Sequence, residues 1–214
     1  MKLFIIAAFV LILGTITGVY FVQSNSNNTS IPSVRTVKID IPENINYSKI
    51  NQEVIELERQ YFNISDKPLK IEQISLQQNN DSTSIILGQW SLTAITGEEE
   101  IQIDNKYVRN PEVYRAVFTH EYIHHILYLM NFSDSNDINE GLTEAFVWYT
   151  NKEIQARLFG KNNEKRKYPY TLVMNQVFKQ DNFVCLDKVF IKTDKINSVD
   201  DYKTRLKNYC NVTI

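Results

Sequence analysis

The stretch NPEVYRAVFTHEYIHHILYLM, residues 110–130, carries all three histidines of the chain. Asn110 is a preferred helix cap, and Pro111 suits the first helical position, where its missing N–H is no loss. Glu112 adds a negative charge to the first turn. Val113, Val117, Ile123, Leu127 and Met130 recur at helical spacing, which predicts a packed helix running to about Met130. His120 and His124 then share one face, with Cβ atoms about 5–6 Å apart. Two imidazoles so placed can both reach one Zn²⁺ at about 2.0–2.1 Å. Glu121 lies about 100° round the helix, so its carboxylate can approach a reacting water without ligating the ion. It can take the water's proton and pass it to a leaving amine. The competing reading is two surface histidines and a helix-face glutamate. His125 points about 100° away from His124 and reads as a polar or packing residue.

A catalytic zinc site needs three protein ligands and one open position. No further histidine exists, and no H-E-x-x-H-x-x-G-x-x-H extension follows. The third ligand must be a carboxylate, or the site is incomplete. NEGLTEAF (139–146) offers Glu140 and Glu144, again i and i+4 on one face. The polar run NFSDSND (131–137) folds this second helix, expected from about Ile138 to about Phe159 with Gly160 as its stop, back beside the first. Glu140 can then reach the ion. Glu144, one turn on, can hydrogen-bond the remaining N–H of a ligating histidine. A solvated acidic face is the alternative for this pair.

Upstream, SKINQEVIELERQYF (48–62) fits an amphipathic helix capped by Ser48. PLKIEQISL (68–76), TSIILGQWSLTAI (83–95) and EEIQIDNKY (99–107) read as strands of a small antiparallel or mixed sheet, with a turn at Gly97. Downstream, KNNEKRK (161–167) reads as a solvated connection, and residues 170–178 and 199–209 as further helices. Strands and helices do not alternate, so the expected class is α+β.

The 214 residues are 43% hydrophobic and 22% charged, enough to bury a core. A net charge of -2 supplies no basic field, which excludes nucleic acid as an expected partner. Leu3 to Val22 carries no charge and has the length of a bilayer-spanning helix. It reads as a membrane anchor or a signal segment, with Val22-Gln23-Ser24 a poor cleavage site. Lys2 favours an N-terminus inside. The expected organisation is residues 1–23 as anchor or signal, 24–34 as spacer and 35–214 as the domain. That places the domain outside the cytoplasm, membrane-anchored through residues 3–22, or secreted if the segment is cleaved. There Cys185 and Cys210 can pair, two buried thiols being the alternative.

THEYIHH followed by NEGLTEAF resembles the gluzincin branch of the H-E-x-x-H zincin metallopeptidases. It is similar to the N-E-x-x-x-D helix of thermolysin-like enzymes, and closer to the E-G-L-x-E-Y pattern of peptidase MA-like, or minigluzincin, domains. The likeness covers about residues 85–160, and its motifs are specific only in the two helices. It implies a zincin-like fold, with a small sheet packed on the active-site helix and a helical C-terminal part. It implies His120, His124 and Glu140 as ligands of one Zn²⁺, Glu121 as general base and acid, and Glu144 as the partner orienting a histidine. It also implies an edge strand, 99–107 or 88–96, that holds a peptide or protein substrate by strand addition. Larger relatives use a Tyr or His to stabilise the oxyanion. The candidates here are Tyr149, Tyr168 and Tyr170. The expected function is a zinc-dependent peptidase acting outside the cytoplasm. The alternative is a zinc-binding surface or assembly module of little catalytic power.

Overall fold

The computed structural model describes residues 17–23, 45–65, 67–76, 84–93, 97–106, 108–153, 171–178 and 183–214. Strand β1 (Thr17–Gln23) is followed by helix α1 (Tyr47–Glu58) and strands β2 (Lys70–Ile74), β3 (Ser84–Leu92) and β4 (Glu99–Asp104). Helices α2 (Pro111–Leu129), α3 (Asn136–Thr150), α4 (Thr171–Phe178), α5 (Leu186–Val189) and α6 (Val199–Cys210) complete the described elements. The class is α+β.

The four strands form one mixed sheet in the order β1-β3-β4-β2. β3 runs antiparallel to both β1 and β4, and β2 runs parallel to β4. Neither segment expected to be an open edge is one. β4 lies between β3 and β2, and β3 has β1 along its other side.

Helix α2 is the element around which the domain is built. Asn110 Oδ1 accepts from the backbone N–H groups of Glu112 and Val113 at 2.8 and 3.2 Å, and Pro111 opens the helix as read from the sequence. From Ala116 to Leu127 every side chain is buried. A helix apolar all round belongs in the interior, and α2 touches α1, α3 and three strands. It ends at Met130. Asn131 takes the left-handed conformation (φ 58°), and Phe132 N–H returns to Leu127 O at 3.0 Å. That turn aims the short loop so that α3 packs back against α2.

Three boundaries differ from the sequence reading. α1 is capped by Asn46, whose Oδ1 accepts from Lys49 N–H at 3.0 Å, rather than by Ser48. α3 begins at Asn136 and stops at Thr150, where Asn151 leaves the helical region (φ -125°, ψ 34°). The expected continuation to Phe159 is broken there, and the stop at Gly160 lies outside the described residues. Thr17–Gln23 is strand, so the apolar run 3–22 is not one helix to its end. An apolar run satisfies a strand buried in a sheet as readily as a span. Residues 3–16 lie outside the described residues, and among those described no helix is long and apolar enough to cross a membrane.

Behind α3, Tyr61, Phe62, Phe146, Phe190 and Tyr202 pack edge-on or tilted with centroids 5.0–6.3 Å apart. Cys185 and Cys210 are joined in a disulfide, with Cα atoms 5.1 Å apart, fastening α6 to the start of α5. The pairing read as one of two options is therefore present.

Candidate metal centre

His120 and His124 project from consecutive turns of α2 and meet Glu140 from the first turns of α3. The two Nε2 atoms are 3.1 Å apart. Glu140 places Oε2 3.3 Å from His120 Nε2 and Oε1 3.4 Å from His124 Nε2. Four donors bonded to zinc at about 2.0–2.1 Å and tetrahedral angles sit about 3.3 Å from one another. Each Nε2 thus stands at about that spacing from the other and from its own oxygen of Glu140, and the donor set of two imidazoles and a carboxylate suits zinc.

The remaining imidazole nitrogens are engaged on the far side. His124 Nδ1 donates to Asn139 Oδ1 at 2.9 Å, with Thr143 Oγ1 at 3.4 Å. His120 Nδ1 faces Glu144 Oε1 at 3.3 Å. In that tautomer both Nε2 lone pairs point at the common centre. The sequence reading gave Glu144 this task and missed Asn139. The adjacency of Asn139 and Glu140 in one helical turn is the signal that could have found it.

Glu121 also lies within 4.8 Å of both imidazoles, yet its carboxylate is held differently. Its Oε2 accepts from the backbone N–H of Trp90 in β3 at 2.8 Å. Its Oε1 is buried with no hydrogen-bond partner among the described residues. A buried carboxylate oxygen without a donor calls for one, and a water at the centre would supply it. Gly88 explains how β3 comes so close. A Cβ there would lie 2.6 Å from Val117 Cγ1 and 2.9 Å from Glu121 Oε1, so no side chain fits between strand and helix. Neither Gly88 nor Trp90 stood out in the sequence, because only sheet register brings them to the helix. The Trp90 indole lies along the His124 ring, centroids 6.5 Å apart.

Without metal, the charges in this pocket are redistributed. Burial opposes a charged His120, but hydrogen bonds donated to Glu140 and Glu144 override it and raise its pKa to about 10. Burial raises Glu121 to about 8, against the attraction of His120 and the Trp90 N–H, with Glu140 adding to the rise. Burial lowers His124, opposed by Glu140.

His125, turned away from the centre, is buried and paired with Glu99 at the start of β4, Nδ1 to Oε2 2.5 Å. Tyr149 does not enter the site. Its hydroxyl meets Tyr61 OH at 3.5 Å and Phe190 O at 3.4 Å on the opposite side of α3, drawn there by the aromatic cluster. Tyr168 and Tyr170 lie outside the described residues.

No family model, no curated protein and no solved structure matches this chain.

Proposed function

We propose that this chain is a zinc-dependent peptidase acting outside the cytoplasm. The observation that carries the reading is the pair of Nε2 atoms of His120 and His124, 3.1 Å apart and each 3.3–3.4 Å from one oxygen of Glu140, with a carboxylate oxygen of Glu121 close by that has no hydrogen-bond partner among the described residues. His120, His124 and Glu140 would hold the ion, and Asn139 and Glu144 would keep the imidazoles oriented. Zinc so held supplies polarisation of the scissile carbonyl and a lowered pKa for water.

The rest of the chemistry belongs to the chain's own residues. Glu121 Oε1 takes one proton from water as its oxygen attacks the carbonyl carbon. The same carboxyl then gives that proton to the departing nitrogen as the C–N bond breaks. Trp90 N–H holds Oε2, which leaves Oε1 as the oxygen free to do this. The motif-level likeness to gluzincins supports the same roles.

The Cys185–Cys210 disulfide supports an oxidising compartment. Whether the domain is anchored through residues 3–22 or released depends on a segment that shares residues 17–22 with β1. The second reading, a zinc-holding surface or assembly module of weak turnover, is favoured by one observation. Tyr149, the described oxyanion candidate, is committed to the Tyr61–Phe190 cluster.

Metal analysis and peptide hydrolysis on the full chain separate these. About one zinc per chain, lost in His124→Ala and kept in Glu121→Gln, is expected, with hydrolysis abolished in both. A chain that takes up no zinc sinks both readings. A chain with bound zinc and no turnover across a peptide library leaves the module.

A further inference from the structure

An extended peptide can join a sheet only at an open edge. The edge nearest the candidate centre is that of β3, whose backbone reaches Glu121 through the Trp90 N–H at 2.8 Å. That edge is already filled. β1 runs antiparallel along it, from Thr17 opposite Ser91 to Gln23 opposite Ser84, with Gly18 opposite Trp90 itself. β1 also lies against α2. The register slips between Val19 and Phe21, opposite the stretch of β3 that holds Gly88. Among the described residues the sheet's open edges are the outer side of β1, one strand further out than the β3 edge, and that of β2, which is separated from β3 by β4. Within this arrangement Glu121 is 0% and both ligating imidazoles 1% exposed, although a hydrolytic site must admit water and substrate.

We infer that residues 17–23 are a built-in occupant of the substrate-strand position, so the chain holds its own site closed until this segment is withdrawn. The inference rests on the peptidase reading for what the position is used for. The occupancy itself rests on sheet order alone. An extended backbone supplied antiparallel to β3 is the ligand class the position takes, and β1 is its first member. The apolar run gives a route to withdrawal. Residues 17–22 cannot be at once in a membrane-spanning helix and on β3, so insertion of the segment, or its cleavage, empties the edge.

A tethered strand competes with an added one at its effective concentration, commonly about millimolar. Opening the edge should therefore tighten binding of an added peptide by about tenfold or more. The probe is a fluorescent peptide of sequence TGVYFVQ, titrated by anisotropy against the zinc-loaded full chain. The comparison is with Gly18→Pro/Val19→Pro: of two adjacent strand N–H groups one faces the neighbouring strand, so the pair removes a ladder donor to β3 whichever of the two it is. A second opened form carries a specific protease site within residues 24–44, cut after folding, so that a folding defect cannot decide the outcome. Hydrogen exchange of the β3 amides is followed in each.

Both opened forms should bind the probe at least about tenfold more tightly than the intact chain. The outer amides of 84–91 should exchange faster in them and regain protection when the probe is added. Equal binding and equal exchange in intact and opened chains would overturn the inference. If no form holds zinc, the peptidase reading fails, and the exchange data still decide whether β1 occupies the edge.

Discussion

Zinc uptake should expel protons, and the number is set by residues in the pocket. In the metal-free chain His120 has a pKa of about 10, because Glu140 and Glu144 override its burial. At pH 7 it is charged, and zinc can use its Nε2 only after the proton leaves. A group three units above the ambient pH costs about 4 kcal/mol to deprotonate, a factor of about a thousand in apparent affinity. The sign follows directly. The proton-bound form competes with the metal, so His120 alone makes affinity rise about tenfold per pH unit up to pH 10, and Glu121 steepens the rise below about pH 8. Glu121, raised to about 8, is also protonated at pH 7, and a dication in the pocket favours its ionised form. Calorimetric titration at pH 7 in buffers of different ionisation enthalpy should therefore show between one and two protons released per zinc. Glu121→Gln should leave about one, that of His120. Glu144→Gln should release less from His120 while weakening zinc binding by about 10–100-fold, since the histidine loses its orienting carboxylate. Zinc binding by Glu121→Gln with no proton release and no pH dependence between 6.5 and 8.5 would refute the account of His120.

Three further outcomes follow from the packing. Gly88→Ala forces a methyl to within 2.9 Å of Glu121 Oε1, and should cost about 1–3 kcal/mol in denaturant unfolding and reduce turnover more than zinc content. Glu58 is fully buried, with no hydrogen-bond partner for either carboxylate oxygen among the described residues, and burial raises its pKa well above the usual carboxylate value. The folded chain therefore holds a proton that the unfolded chain releases above about pH 4.5, so wild-type stability falls as pH rises through that window. Glu58→Gln should remove the fall, gaining on wild type by up to about 1.4 kcal/mol per pH unit as urea melts are taken upward from about pH 4.5. Replacing Cys185 and Cys210 by serine opens a loop with a sequence separation of 25 residues and should cost about 3 kcal/mol, read as a lowered unfolding midpoint with zinc stoichiometry retained.

What the sequence made legible was what local spacing encodes. The Asn110-Pro111 cap, the 120/124 pair and the 140/144 pair all act within one or two helical turns, and each stands where its spacing places it. What it hid depends on chain segments that meet only through sheet register. Trp90 reaches Glu121 across 31 residues, and Glu99 reaches His125 across 26. Tyr149 could not be told from the other eleven tyrosines, because hydroxyls that pack and hydroxyls that react look alike in one dimension. The end of α3 carries no Gly or Pro at Asn151, so nothing local marked it. The run ending at Val22 was misread beyond residue 16 because uninterrupted apolar residues fit a bilayer helix and a strand in a sheet alike.

The Glu99–His125 pair fixes the mechanics of the domain as well as its packing. β4 leads directly into α2, so the sheet and the motif helix are joined by the chain at residues 105–110 and again by this buried pair. Two fastenings at separate points leave no hinge between them. The turns that carry His120 and His124 cannot slide or tilt against β4 without breaking a buried contact between ionisable side chains, which is costly. On the peptidase reading, breathing that admits a peptide would fall on β1, an outermost strand, with the Glu99–His125 pair intact beneath it.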